Sequence, residues 1–229
     1  GYLPAAYQGT LLRSKGTPIL NLARPVGVSV AQQRREFDLL TSLNRRHLTS
    51  RSEDTELAAR INAYELAFRM QTEAPHLVSL TGETQKTQQL YGLDDPVTAG
   101  FGRQCLLARR LVESGVRYTM LVHGVQIGSH SWDDHGDVKG GMTRHSREVD
   151  RPVAALLTDL KERGLLEETL VVWASEMGRT PFRNGAVGNK PGREHNSWNL
   201  VMWMAGGDVK GGASVGETDE FGLRSVNGE

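Results

Sequence analysis

The chain has 229 residues, 38% of them hydrophobic, so it is long enough to bury a sizeable core in one large or two small domains. Its 27 Lys and Arg residues balance 27 Asp and Glu residues, which excludes the strongly basic surface that binds nucleic acid or an anionic membrane. The single cysteine, Cys105, excludes a disulfide framework, and no apolar run approaches the length of a membrane span. Small or neutral partners are therefore expected.

The first part of the chain is predicted to be helical. Ser29 is expected to cap a helix that ends near Leu48. Ser52 precedes a second helical pattern, which Pro75 is expected to end because its ring cannot continue the hydrogen-bond ladder. Residues 81–95 are polar and rich in turn formers, so they predict a short helix and a connection.

The pattern changes after this helical region. Three apolar runs are typical of strands and span residues 118–122, 169–174 and 200–205. Amphipathic helical patterns precede the first two, over residues 101–115 and 142–160. Continuously apolar strands that alternate with helices predict an α/β fold with a mainly parallel sheet flanked by helices. We therefore expect a helical region over 1–98 and a sheet with its loops over 99–229.

Polar side chains collect in the loops that follow or approach these strands. In open α/β sheets the ligand site lies beyond the carboxyl ends of the strands, so these loops are where functional groups are expected. The candidates are His130, Asp133, His135, Glu176, Arg179, Arg193 and His195. Carboxylates and imidazoles that converge from separate loops are the usual way to hold a divalent cation.

Structural interpretations of these residues stay open beside the functional one. The Asp-rich stretch 132–137 is also typical of an Asx-type turn, and His195 beside Glu194 is also typical of a solvated charged loop. Glu176 favours function more strongly, because a carboxylate directly after a buried strand is costly unless it is paired or bound to metal. His145 lies in a helical pattern and is interpreted as structural.

Six segments together give the sequence a resemblance that covers essentially the whole chain. These segments are residues 101–111, 132–136, 159–166, 176–181, 192–196 and 205–207. With them the chain resembles the planctomycete-type sulfatase-like family of formerly unknown function (DUF1501), in the alkaline-phosphatase and sulfatase superfamily. The resemblance implies an alkaline-phosphatase-like α/β domain, of which this chain is the middle-to-late portion, and a periplasmic or secreted location.

The resemblance also implies a site. It implies metal ligands at Asp133, His135, Glu176 and His195. It implies substrate contacts from His130, Arg179 and Arg193, and the guanidinium groups of the two arginines match tetrahedral oxyanions. Met177 stands where the superfamily has a second ligand, so one divalent metal ion is expected, with calcium ahead of zinc, magnesium and manganese. The catalytic nucleophile is expected outside this chain.

The expected function is metal-dependent hydrolysis of a sulfate ester, either a small molecule or a sulfated polysaccharide. A phosphatase or phosphodiesterase is the nearest alternative, because the same group of residues would accept phosphate. A non-catalytic, secreted binding protein on the same scaffold is the alternative from another class, since a fold does not dictate a function.

Overall fold

A computed structural model of the chain divides it into two compact units, Gly1–Gly82 and Glu83–Glu229. The structure describes residues 9–13, 16, 18–19, 22–50, 55–124, 132–183 and 191–227. None of the helices in these stretches is long and apolar enough to cross a membrane.

The first unit contains a pair of helices, α1 (Val30–Thr49) and α2 (Thr55–Val78). The predicted cap of α1 is confirmed, because the Ser29 hydroxyl accepts a hydrogen bond from the Gln32 amide at 3.1 Å. Stacked rings of Phe37 and Phe68, 5.3 Å apart, join the two helices. The predicted end of the second helix at Pro75 is wrong by three residues, since α2 continues past it to Val78.

The second unit is built on α3 (Gln85–Leu90), α4 (Ala99–Glu113) and α5 (Val138–Glu162). The amphipathic patterns predicted α4 and α5, and the apolar faces of these two helices pack against each other. The buried apolar side chains on these helices include Phe101, Cys105, Leu106, Val149, Leu156 and Leu160. This packing fixes the position of α5, whose first turn follows the Asp-rich stretch of the sequence.

A buried ionic network joins the start of this unit to α4 and α5. The Arg109 guanidinium is only 2% exposed and lies 2.7 Å from Glu83, 2.9 Å from Asp159 and 2.6 Å from Glu113. Asp159 also accepts a hydrogen bond from the Tyr91 hydroxyl at 3.0 Å. A charge buried this deeply is tolerated only with such partners, so the network ties Glu83 and both helices into one unit.

The strands of this unit are short and pair only in twos among the described residues. They are β1 (Val171–Trp173), β2 (Gly178–Arg179), β3 (His195–Asn196), β4 (Trp203–Ala205), β5 (Glu217–Thr218) and β6 (Ser225–Asn227). The pairs are β1 with β4, β2 with β3 and β5 with β6. All three pairs are antiparallel.

The predicted α/β fold, with a mainly parallel sheet flanked by helices, is therefore wrong, and so is the alkaline-phosphatase and sulfatase-like architecture. Two apolar runs do contain strands, β1 and β4, but they run antiparallel to each other, and no strand forms over 118–122. The prediction failed because a run of apolar residues carries no information about strand direction and does not guarantee burial. Tyr118 is 80% exposed and Val201 is 83% exposed.

Candidate functional site

The antiparallel pair of β2 and β3 brings two of the candidate residues side by side. Its register places Arg179 opposite His195. The pair continues past the strands, because the Thr180 amide donates to the Glu194 carbonyl at 2.9 Å. Asn196, buried at the end of β3, donates its side-chain amide to the Leu223 carbonyl at 2.8 Å. His195 is thus held on a fixed backbone.

The Asp-rich stretch forms the turn that leads into α5. Asp137 is the N-cap of the helix, with its carboxylate accepting from the Gly140 amide at 2.9 Å. The Val138 amide donates to the Pro191 carbonyl at 3.2 Å, which ties the turn to the segment that precedes β3. Asp137 thus has a structural role as a helix cap, while Asp133 lies at the other end of the turn and faces β3.

Three side chains, Asp133, His135 and His195, meet there and are named the Asp133 cluster. Their ligand atoms all lie within 4.8 Å of one another. The Asp133 Oδ1 atom lies 2.7 Å from Nε2 of His195 and 2.8 Å from Nε2 of His135. The cluster is open to solvent, since the Asp133 side chain is 51% exposed.

The charges around Asp133 keep its carboxylate ionised. The hydrogen bond from His195 is the main reason that the pKa of Asp133 lies below its ordinary value. A hydrogen bond from Arg179, whose guanidinium lies 3.0 Å from Oδ1, and the charge of His135 add to this effect. Asp133 is therefore present as an anion at neutral pH.

The geometry of the Asp133 cluster suits a cation between its three atoms. The Nδ1 atom of His135 lies 3.2 Å from the Glu194 carboxylate, so its N–H has an acceptor and its Nε2 is left to face Asp133. A deprotonated ring nitrogen and a carboxylate oxygen both carry lone pairs. Each ring nitrogen that faces the Asp133 oxygen therefore needs a proton or a metal ion between the two atoms. Two imidazoles and a carboxylate form a donor set for a divalent metal, and a carboxylate behind a ligand histidine is its usual companion.

The other predicted site residues are placed differently. Glu176 is exposed, and its carboxylate is not among the ligand atoms of the Asp133 cluster. The half-exposed β1 before it explains this position, since the carboxylate reaches water without the desolvation cost that the sequence suggested. Arg193 donates to the Thr180 carbonyl at 2.8 Å. His130 lies outside the described residues.

A second group of ligand-type side chains was missed by the sequence analysis. His123, His145 and Glu148, named the His145 cluster, have ligand atoms within 4.8 Å of one another. Glu148 Oε2 lies 3.1 Å from Nε2 of His123 and 3.0 Å from Nδ1 of His145. The spacing of three residues between His145 and Glu148, which puts both on one face of a helix, was the signal that could have revealed the pair.

Comparison with protein-family models matches residues 1–229, the whole chain, to a family described as "Protein of unknown function (DUF1501)". This description names no activity and no link to sulfatases or to planctomycetes. Neither the curated proteins nor the solved structures yield a match. The chain belongs to the DUF1501 family.

Proposed function

We propose that Asp133, His135 and His195 bind one divalent metal ion, and that the protein is a metal-dependent hydrolase of sulfate esters. The observation that carries the proposal is the gathering of one carboxylate oxygen and two imidazole nitrogens within 4.8 Å of one another. These side chains come from two separate segments, the turn before α5 and strand β3, which is how metal sites are usually assembled.

The donor set bears on the identity of the metal. Calcium, which the family resemblance implies, takes oxygen ligands in numbers of about six to eight, whereas the Asp133 cluster offers two nitrogens and one oxygen. Imidazole suits zinc and its transition-metal neighbours. We therefore propose zinc rather than calcium.

The residues around the metal position have different proposed roles. Arg179 donates to the Asp133 carboxylate at 3.0 Å and to the Trp132 carbonyl at 2.8 Å, so it holds Asp133 in place. Glu194 orients His135 through the 3.2 Å contact to its Nδ1. A bound metal ion would stabilise the negative charge that develops on the ester oxygens. The open side of the cluster leaves room for an anionic substrate to approach.

Metal analysis of three variants tests the site. We expect about one equivalent of zinc in the wild-type protein after dialysis, and its loss in Asp133→Ala and His195→Ala, because each removes a ligand. Glu176→Ala is the matched control, since Glu176 lies outside the cluster and its variant should keep the metal. Retention of the metal in the first two variants, or its loss in the control alone, would contradict the proposed ligand set.

Paired aryl esters test the activity. Because the nucleophile is expected outside this chain, the assay uses the full-length protein. With metal bound it is expected to hydrolyse 4-nitrophenyl sulfate, and Asp133→Ala is expected to abolish the reaction together with metal binding. Hydrolysis of 4-nitrophenyl phosphate alone would make the protein a phosphatase on the same site. Full metal occupancy with turnover of neither ester would reject the hydrolase proposal and leave a metal-binding protein.

A further inference from the structure

The His145 cluster lies beside the turn that carries Asp133, and one side chain connects the two. The indole nitrogen of Trp132 donates a hydrogen bond to Nδ1 of His123 at 2.9 Å. Trp132 directly precedes Asp133 in the chain. His123 in turn contacts Glu148 of α5 at 3.1 Å. A continuous path therefore runs from α5 through His123 and Trp132 to the Asp133 cluster.

The tautomer of His123 follows from its partners. An indole N–H can only donate, so Nδ1 of His123 must accept and carries no proton. The proton of the neutral ring then lies on Nε2 and points at Glu148. Burial lowers the pKa of His123, which keeps the ring in this neutral form.

The tautomer of His145 follows in the same way and is the opposite one. Its side chain is fully buried, and a guanidinium nitrogen of Arg144 lies 3.3 Å from its Nε2. A guanidinium can only donate, so Nε2 accepts and the proton lies on Nδ1, facing Glu148 at 3.0 Å. Both rings thus direct an N–H, not a lone pair, at the carboxylate of Glu148. This cluster is a filled hydrogen-bond network and, in this arrangement, not a second metal site.

Ring contacts and a hydrogen bond to its carbonyl fix the position of Trp132. Its ring lies 4.8 Å from the ring of His145 and 6.1 Å from the ring of Trp173. Its carbonyl accepts a hydrogen bond at 2.8 Å from Arg179, and the same guanidinium nitrogen contacts Asp133. With the ring and the backbone of Trp132 both fixed, the neighbouring carboxylate of Asp133 has little freedom to leave the cluster.

We propose that Glu148 and His123 are positioning residues, which act through Trp132 to hold the Asp133 carboxylate in metal-binding geometry. The inference rests on the proposed function, because it assumes that the Asp133 cluster is the metal site. Groups behind a ligand shell commonly contribute tenfold or more to metal affinity, and a similar effect, about tenfold, is expected here.

Cobalt titration of the full chain tests the proposal, with Co²⁺ as the spectroscopic probe. Trp132→Phe removes the indole N–H and keeps an aromatic ring, and Glu148→Ala removes the acceptor of both histidines. Each is expected to weaken Co²⁺ binding by about tenfold. Glu148→Gln, whose amide oxygen can still accept both N–H groups, is expected to retain near wild-type affinity. Asp150→Ala replaces an exposed carboxylate on the same helix and serves as the control.

The pattern of results separates the two proposals. If wild-type protein binds Co²⁺ and the four variants bind it equally well, the positioning role is wrong while the metal site stands. If a second equivalent binds and Glu148→Gln abolishes it, the His145 cluster is itself a metal site and the positioning role is again wrong. Thermal unfolding of each variant distinguishes a local loss of affinity from a loss of fold.

The protonation pattern gives a test that needs no metal. Nitrogen-15 NMR of the imidazole rings is expected to show the Nε2–H tautomer for His123 and the Nδ1–H tautomer for His145. If wild-type protein fails to bind Co²⁺, the proposed function is wrong, and this spectrum still decides whether the hydrogen-bond path exists. The reverse assignment of either ring overturns the path.

Discussion

At the scale of single residues, the site depends on one oxygen atom. Oδ1 of Asp133 lies within 3.0 Å of nitrogens of His135, Arg179 and His195. Hydrogen bonds from His195 and Arg179 and the charge of His135 lower the pKa of Asp133, with the hydrogen bond from His195 contributing most. A metal ion must displace the proton that His195 directs at this oxygen, so metal binding is expected to weaken as the pH falls.

Glu194 provides a prediction at this scale. Its carboxylate lies 3.2 Å from Nδ1 of His135, so Glu194→Ala removes the group that orients this ligand. We expect zinc affinity to fall by about 10–100-fold, the range typical of groups behind a ligand histidine. Competition with a metal-binding dye measures the affinity, and Glu194→Gln, which keeps an acceptor, should recover most of it. Unchanged affinity in the alanine variant would show that Glu194 does not orient His135.

At the scale of elements, the site depends on a close approach between two loops. The Pro191 carbonyl accepts from the Val138 amide at 3.2 Å, and Gly192 is buried directly against the backbone carbonyl of His135. A Cβ atom on Gly192 would overlap that carbonyl oxygen, so only glycine allows this approach. The turn before α5 and the segment before β3 therefore lie in contact, which places His135 within reach of His195.

Gly192→Ala is predicted to separate these loops and to weaken metal binding by at least about tenfold, because both halves of the Asp133 cluster shift apart. Gly211→Ala is the matched control, since a Cβ at Gly211 meets nothing within 4 Å. Isothermal titration with zinc measures both variants. Equal affinities for the two alanine variants would contradict the close approach.

At the scale of the whole molecule, the stability of the second unit is tied to pH through the buried network around Arg109. Burial by itself would raise the pKa of Glu83, but the hydrogen bond from Arg110 and the charge of Arg109 outweigh it and hold this pKa below its ordinary value of 4.5. The unfolded chain therefore takes up a proton at a higher pH than the folded one. The stability that Glu83 contributes is fully present above about pH 4.5. It is lost as the pH falls through the lowered pKa of the folded state.

Glu83→Gln tests this dependence. At pH 7 we expect the variant to lose about 3–5 kcal/mol of unfolding free energy, because the buried guanidinium of Arg109 loses a charged partner. The difference from wild type is expected to shrink below pH 4.5, where wild-type Glu83 itself becomes protonated. Urea unfolding across this range measures it, with the exposed Glu168→Gln as control. A difference that stays constant with pH would contradict the expectation.

The helices and the strands were predictable from the sequence to different degrees. Helical periodicity and the capping residue Ser29 located α1, α4 and α5, because both signals are local. The pairing of β1 with β4 depends on contacts distant in sequence, and an apolar run does not encode its direction. The expected parallel sheet was therefore wrong.

The residues of the site were easier to predict than their geometry. Asp133, His135 and His195 were expected to meet at the edge of a parallel sheet, yet a helix cap and an antiparallel pair of two-residue strands bring them together. Glu176 was chosen for a burial that the structure does not give it. Residue type identified the candidates, but only tertiary contacts decided which of them lie together.

Helix α5 connects both clusters, since the turn that its N-cap Asp137 completes carries Asp133 and its later turns carry His145 and Glu148. A ligand that binds only the folded form must stabilise the element that forms its site. Metal binding at the Asp133 cluster should therefore slow amide hydrogen exchange along α5, including amides more than two helical turns from the ion. The rate of hydrogen exchange along α5 would then show whether a metal ion occupies the Asp133 cluster.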